Sequence, residues 1–144
     1  MSARLKGRRR QVQRLLSDLT GWAQRTDVHA AVLVGSYARG HERMASDVDV
    51  VLLLPDAQAH HAASGWFAQL RPGARLVRSA LWGPVREQRY RLRCGLLVEI
   101  GLAPLNWADV PLDPGTRRVL ADGHRILHDP YGTLSRAAEA LRPL

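Results

Sequence analysis

The sequence predicts an α/β fold in which a mixed sheet of four or five strands is flanked by helices. Two apolar runs, residues 28–34 and 47–54, have the length and the valine and leucine content of buried strands. Apolar residues recur at a helical period over residues 9–25, and further strand and helix patterns follow the two runs. Strands and helices are therefore mixed along the chain, which is typical of an α/β domain.

The N-terminal segment, residues 1–26, is predicted to be a basic amphipathic helix. Its apolar side is formed by Val12, Leu15, Leu16, Leu19 and Trp22. Residues 1–14 contain six arginine or lysine residues and no acidic residue, within a formal net charge of +8. Such a run is most simply a solvated helix surface; the alternative is an electrostatic site for nucleic acid, a nucleotide or an acidic partner. No aromatic residue interleaves it, so base stacking has no support there.

Turn-forming residues divide the chain after the first apolar run. Ser36 is predicted to lie near the N-cap of a helical turn over residues 36–39. Asp56 can cap a helix that runs to about Leu70. Further strands are predicted over residues 74–81, 85–93, 96–102 and 125–127. The second and third of these ranges flank Cys94 and Gly95 and are expected to form a hairpin.

The C-terminal part, residues 113–144, is predicted to carry two helices. Asp113 is the expected N-cap of the first, with Pro114 at its first position and Gly123 at its end. Asp129 and Pro130 are expected to open the second, which ends before residue 143.

Length and composition narrow the class of protein. At 144 residues, without an internal repeat or a long linker, the chain is expected to form a single domain over residues 1–144, with its motifs in residues 28–102. The longest apolar run, residues 50–54, is far too short to span a bilayer, and no signal peptide is visible. Cys94 is the single cysteine, so zinc or thiol chemistry has no support. We therefore expect a cytoplasmic protein that does not enter a membrane.

Two acidic residues lie inside the second apolar run. Burying an unpaired carboxylate costs several kcal/mol, roughly, so Asp47 and Asp49 are expected at a solvent-open strand end or around a cation. Because side chains alternate along a strand, the two carboxylates project from one face and repel each other. Mg²⁺, a hard cation that prefers oxygen ligands, would relieve that repulsion.

Gly35 and Ser36 stand at the turn between the first strand and the next helical turn. Glycine allows a close approach of the backbone to a ligand. A helix N-terminus offers unpaired N–H groups that suit phosphate. Taken alone, a Gly-Ser pair is more often a plain turn.

Together these residues form the pattern G-S-x10-D-x-D, with Ala-Arg-Gly shortly after the serine. This pattern resembles the nucleotidyltransferase superfamily that includes DNA polymerase beta, and most closely its minimal bacterial and archaeal members. The strong likeness covers residues 32–54, and a weaker one extends through Glu99 to residues 113–134. The resemblance implies the polymerase beta-like palm fold.

The resemblance also implies roles for particular residues. Gly35 and Ser36 would hold the triphosphate of a nucleoside triphosphate, while Asp47 and Asp49 would bind two Mg²⁺ ions. Family members usually carry a third carboxylate on a neighbouring strand. The best candidate is Glu99, because it is the other acid within an apolar strand-like run. Its alternative is a solvent-facing glutamate at a strand edge.

Other polar residues carry weaker expectations. Arg39 would contact phosphate or, alternatively, fix the loop locally. Tyr37, His41 and Arg43 lie near the site in sequence and are minor candidates for ligand contact. His60 with His61, and His124 with His128, are not expected to bind a metal. The tryptophans Trp66, Trp82 and Trp107 are expected in the core or at sheet edges, with adenine stacking as the alternative.

The activity implied is Mg²⁺-dependent transfer of a nucleoside monophosphate, most simply AMP from ATP, to an acceptor. Larger members carry an additional acceptor domain, for which we expect no room here. The chain therefore resembles antitoxins that adenylylate a helical HEPN-type toxin. The alternatives are a small-molecule nucleotidyltransferase, such as an antibiotic-modifying enzyme, and an inactive nucleotide-binding or interaction module.

Overall fold

The computed structural model describes residues 2–56 and 65–143. Within these residues six strands form one mixed sheet in the order β3-β4-β5-β2-β1-β6. The strands are β1 Ala30–Val34, β2 Val48–Leu54, β3 Arg75–Trp82, β4 Val85–Arg91, β5 Leu97–Pro104 and β6 His124–His128. The α/β prediction is confirmed, with a strand count above the predicted four or five because the short run at 124–128 pairs with β1.

The helices flank this sheet. They are α1 Ala3–Gln24, α2 Gly35–Arg39, α3 Trp66–Leu70, α4 Pro114–Ala121 and α5 Thr133–Glu139, with a 3₁₀ turn at Leu105–Ala108. The predicted helix from Asp56 to Leu70 is described over its last five residues; residues 57–64, including His60 and His61, lie outside the described residues. Asp113 caps α4 as predicted, accepting a hydrogen bond from the Gly115 amide at 2.9 Å.

The two apolar runs pair at the centre of the sheet. β1 and β2 are antiparallel and bring Val34 opposite Asp49. β2 and β5 are parallel, whereas the other neighbouring strands of the described sheet run antiparallel. Strand β5 therefore places its residues 98–104 directly beside residues 48–54 of β2.

Each face of the sheet carries its own buried cluster. The amphipathic α1 prediction is confirmed: its apolar side packs on one face, which includes Val50, Leu52 and Ile100. The opposite face, with Val51 and Leu53, is covered by α4, α5 and the 3₁₀ turn. Alternation along β2 assigns Asp47 and Asp49 to this second face, away from α1.

The hairpin between β4 and β5 closes with a three-residue loop, Arg93-Cys94-Gly95. The Leu92 amide donates to the Leu96 carbonyl at 2.8 Å, so these two residues form the last pair before the loop. Gly95 has a φ of 89°, which is the left-handed conformation that such a loop requires at its last residue. The loop length sets which residue of β4 lies beside Glu99.

The helical turn α2 begins one residue earlier than predicted. Its N-cap is Val34, no side chain in residues 2–56 or 65–143 caps it, and Ser36 lies inside it, so the prediction of Ser36 as the cap is wrong. The last helix, by contrast, begins later than predicted, at Thr133. Its N-cap is Gly132, and the Asp129 carboxylate accepts the Leu134 and Ser135 amides of the first turn, each at 2.9 Å.

None of the helices in the described residues combines the length and the apolar character needed to cross a membrane.

Candidate active site

Three carboxylates meet where β2 and β5 begin. Asp49 on β2 lies directly opposite Glu99 on β5 in the parallel register, and Asp47 immediately precedes β2. One carboxylate oxygen from each residue lies within 4.8 Å of the others. Two strands that pair across fifty residues of sequence thus bring together the three acids predicted from the sequence.

Gly35 forms one wall of this carboxylate cluster. Its φ is 76°, a left-handed conformation that favours glycine. A β-carbon added there would overlap the carboxylate of Asp49. The glycine therefore serves two purposes at once: it permits the turn from β1 into α2, and it leaves room for Asp49.

The clustering changes the acidity of Asp49. Burial, and after it a hydrogen bond with Glu99 and the negative charges of Glu99 and Asp47, together raise the pKa of Asp49 to about 8. Without a cation, Asp49 is therefore protonated at neutral pH. Two carboxylates that share a site in this manner are stabilised in their ionised form by a divalent cation.

The residues present fit a hard metal ion. All three ligand groups are carboxylates, the donors that Mg²⁺ prefers, and they are half-buried at a strand end rather than sealed in the core. The arrangement can therefore hold a metal ion through Asp47, Asp49 and Glu99.

Two arginines that the sequence analysis did not select also belong to the site. Arg89 on β4 forms ion pairs with Asp47 and with Glu99, the latter at 3.2 Å between Nε and Oε1. Arg78 on β3 lies 3.3 Å from Glu99 and 3.0 Å from Glu87. The cross-strand register of the β4–β5 hairpin is the signal that identifies Arg89, because it places Arg89 opposite Glu99.

A cavity of about 680 Å³ opens from the carboxylates along the same face of the sheet. Asp49, Glu87 and Glu99 lie at its acidic end. Apolar walls come from Trp82, from Trp107 and from neighbouring valines, glycines and Pro84. Trp82 is 61% exposed at the end of the edge strand, and Trp107 is partly buried, so both lie at the sheet margin rather than in the core. Trp66 is buried and stacks on Trp22, in agreement with the prediction.

The remaining predicted residues occupy different surroundings. Ser36 lies next to Gly35 in α2, and its carbonyl accepts the His41 amide at 3.0 Å. The stem of Arg39 packs against Gly123, a local contact of the kind given as its alternative role. Tyr37 packs on the α1 side of the sheet, and burial raises the pKa of its phenol. The Arg43 amide donates to Ser46 Oγ at 2.8 Å and so shapes the loop.

Part of the basic N-terminal helix is engaged within the chain. Arg9 pairs with Glu42 at 2.9 Å, and the Glu42 side chain is only 9% exposed. Arg8 donates to the Cys94 carbonyl at 3.3 Å. These two cations tie α1 to the loop after α2 and to the β4–β5 loop, so they serve the structure rather than a solvent-facing basic surface.

The raised pKa of Asp49 makes the stability of the metal-free protein depend on pH. The unfolded chain releases this proton near pH 3.8, whereas the folded chain retains it up to about pH 8. Between these values the unfolded state binds fewer protons, so the stability contribution of Asp49 falls as pH rises. We expect Asp49→Asn to remove this loss of stability. The melting temperature of the variant minus that of the wild type, both in EDTA, should therefore increase as pH rises towards 8. Thermal denaturation at several pH values checks this, and a gain that is constant with pH would contradict the assignment.

Comparisons with known proteins agree with this geometry. A family model described as a nucleotidyltransferase domain matches residues 15–102, a range that contains Gly35, Asp47, Asp49 and Glu99. A search of curated proteins finds no match to the chain.

Proposed function

The chain belongs to the nucleotidyltransferase domain family, and from this premise we propose that it transfers a nucleoside monophosphate, AMP from ATP, to an acceptor with two Mg²⁺ ions as cofactor. The observation that carries the proposal is the juxtaposition of Asp47, Asp49 and Glu99 beside the Gly35 turn. Carboxylates arranged in this way at a strand end can hold metal ions, and those ions would neutralise the negative charge of a bound triphosphate.

The reaction follows from the roles of the site residues. The acceptor hydroxyl forms a bond to the α-phosphorus, the bond from that phosphorus to the β-phosphate oxygen breaks, and pyrophosphate leaves. Asp47 and Asp49 would hold both metal ions, with Glu99 as the third ligand, and the Gly35-Ser36 backbone would face the triphosphate. Mg²⁺, when bound, supplies the positive charge that stabilises the attacking and leaving oxygens. The acceptor's proton passes to Glu99 or to a base on the acceptor.

A partner protein is our first proposal for the acceptor. It rests on the resemblance to minimal nucleotidyltransferase antitoxins, whose helical HEPN-type partners receive AMP. The location proposed for such a pair is the cytoplasm, where ATP and Mg²⁺ are both present. A nucleic-acid partner has weaker support, because Arg8 and Arg9 of the basic helix are engaged within the chain.

The cavity supports a second candidate, a small-molecule acceptor such as an antibiotic. Its volume of about 680 Å³ is within the range of small-ligand sites. It opens at Asp49 and Glu99, so a molecule lying against Trp82 and Trp107 would present a hydroxyl towards the carboxylates. An inactive binding module is the least favoured alternative, since all three carboxylates are present and clustered.

The experiment that tests the function uses ATP labelled at the α-phosphate. The purified chain is incubated with this ATP, Mg²⁺ and cell extract, and the products are separated into proteins and small molecules. We expect label in a protein fraction if the acceptor is a partner protein, and in the small-molecule fraction if the cavity binds the acceptor. Glu99→Gln is expected to abolish labelling in either case. The proposal fails if neither AMP transfer nor pyrophosphate release exceeds that of the EDTA control.

A further inference from the structure

Four charged side chains form a row across the sheet at the site. Asp49 lies opposite Glu99, Glu99 lies opposite Arg89, and Arg89 lies opposite Arg78. Directly opposed residues on neighbouring strands project from one face, so the row consists of two acids followed by two arginines. The acidic half belongs to the metal-binding cluster, and the basic half comes from β4 and β3.

Arg89 is the member of this row that reaches into the carboxylate cluster. Its Nη2 forms a hydrogen-bonded ion pair with Asp47 Oδ2, and its Nε lies 3.2 Å from Glu99 Oε1. One planar guanidinium therefore bridges the first and third carboxylates of the cluster. The planar fork of an arginine presents its donors in a fixed geometry that suits this bridge, whereas a lysine offers a compact charge with three rotatable donors.

The guanidinium and a divalent cation compete for the same place. A metal ion held by the cluster must approach the oxygens of Asp47 and Glu99, within the 4.8 Å that separates the ligand atoms. Both cations would then stand within a few ångströms of each other, and the repulsion between charges at that distance is substantial near a protein surface. Each cation is therefore expected to weaken the binding of the other at the cluster.

We propose that Arg89 is a positioning residue that holds Asp47 and Glu99 in the metal-free site and is displaced when the metal ion binds. Arg78 remains as the anchor, because it contacts Glu99 and Glu87 but makes no ion pair with Asp47 among the described residues. Occupation of the site is then an exchange of one cation for another rather than the filling of a vacant acidic cluster. This inference rests on the proposed function only in taking Mg²⁺ as the ion of the site.

The test measures Mg²⁺ binding to the nucleotide-free protein by isothermal titration calorimetry. Because Arg89→Ala removes the competing cation, it is expected to tighten Mg²⁺ binding about tenfold. Arg91→Ala is the matched control. It removes the same charge from the same face of β4, where Arg91 forms no ion pair with the cluster within the described residues, and it is expected to leave Mg²⁺ affinity close to that of the wild type. A residue that merely supported the fold would weaken Mg²⁺ binding when removed.

Thermal denaturation provides a second readout that does not depend on activity. In EDTA, Arg89→Ala leaves Asp47 and Glu99 to repel each other, so its melting temperature should fall below that of the wild type. Added Mg²⁺ should then raise the melting temperature of the variant more than that of the wild type. Arg89→Gln, which keeps the length and polarity of the side chain without its charge, takes the place of the alanine variant if the latter does not fold.

The possible outcomes separate this inference from the proposed function. Equal or weaker Mg²⁺ binding in a folded Arg89→Ala or Arg89→Gln protein, with clear binding in the wild type, overturns the role of Arg89 and leaves the proposed function standing. Absence of Mg²⁺ binding in the wild type and both variants overturns the exchange, and the proposed function then depends on the transfer assay alone. Tighter binding in the variants, with Arg91→Ala unchanged, supports the exchange.

Discussion

Asp49→Ala is expected to lower nucleotidyl transfer by about a thousandfold or more, because it removes one of the three clustered carboxylates, the one that lies against Gly35. The fold should be retained, since Asp49 forms no ion pair with an arginine or lysine of the described residues. The metal-free variant should melt at a higher temperature at neutral pH than the wild type, because burial and neighbouring negative charges disfavour ionised Asp49 in the folded state. Pyrophosphate release measures the transfer, and circular dichroism checks the fold.

Asp109→Ala is a suitable control for this prediction. Asp109 is an exposed aspartate after the 3₁₀ turn, so its loss should alter neither transfer nor melting temperature appreciably. Asp47→Ala should resemble Asp49→Ala in transfer. Full activity in Asp49→Ala would show that the metal assignment is wrong.

Gly35→Ala is expected to reduce transfer by about a hundredfold, the second largest effect. The added β-carbon would overlap the Asp49 carboxylate and push it out of the cluster. A left-handed φ of 76° adds a backbone cost of about 1–2 kcal/mol for a residue with a side chain. Steady-state transfer and urea denaturation measure the two effects separately.

Gly40→Ala separates the loss of space from the backbone strain. Gly40 has a φ of 73°, close to that of Gly35, but a β-carbon there would meet no atom of the described residues within 4 Å. Gly40→Ala should therefore lose a similar amount of stability and keep most of its activity. If both variants lost activity equally, strain in the loop rather than displacement of Asp49 would be the cause.

Residue patterns and the resemblance to the nucleotidyltransferase superfamily, which implies a third carboxylate, together predicted the carboxylate cluster. Alternation along β2 places Asp47 and Asp49 on one face, and Glu99 stands out as an acid inside another apolar run. Because both runs are buried at the sheet centre, their pairing brings the acids together. The strands were predicted for the same reason: apolar composition and turn residues delimit each of them.

The arginines beside the carboxylate cluster, Arg89 and Arg78, were not predictable from such patterns. A two-residue Cys94-Gly95 turn would pair Tyr90 with Glu99, whereas the observed three-residue loop pairs Arg89 with it. A shift of one residue moves every side chain to the other face, so the identity of the cation beside the site depends on a loop length that composition does not specify. The pairing of the predicted strand β6 with β1 and the late start of α5, whose first-turn amides bond to Asp129, likewise depend on tertiary structure.

The cavity could not be predicted from sequence patterns either. Its walls come from the β3–β4 turn at Trp82 and Gly83, from Trp107 after β5, and from α4. These segments are separated by tens of residues, and none carries a recognisable motif. Their approach is decided by how the segments after β5 fold back over the second face of the sheet.

The parallel pairing of β2 with β5 has a consequence for the order in which the strands pair during folding. The contact between Asp49 and Glu99 closes a loop of about fifty residues, whereas the two hairpins β3–β4 and β4–β5 close short ones. Long-range contacts form later than local ones because their loop entropy must be overcome first. A folding intermediate with both hairpins formed would therefore hold Arg89 next to Glu99 before either aspartate arrives, and catalytic competence would appear only once β2 pairs with β5.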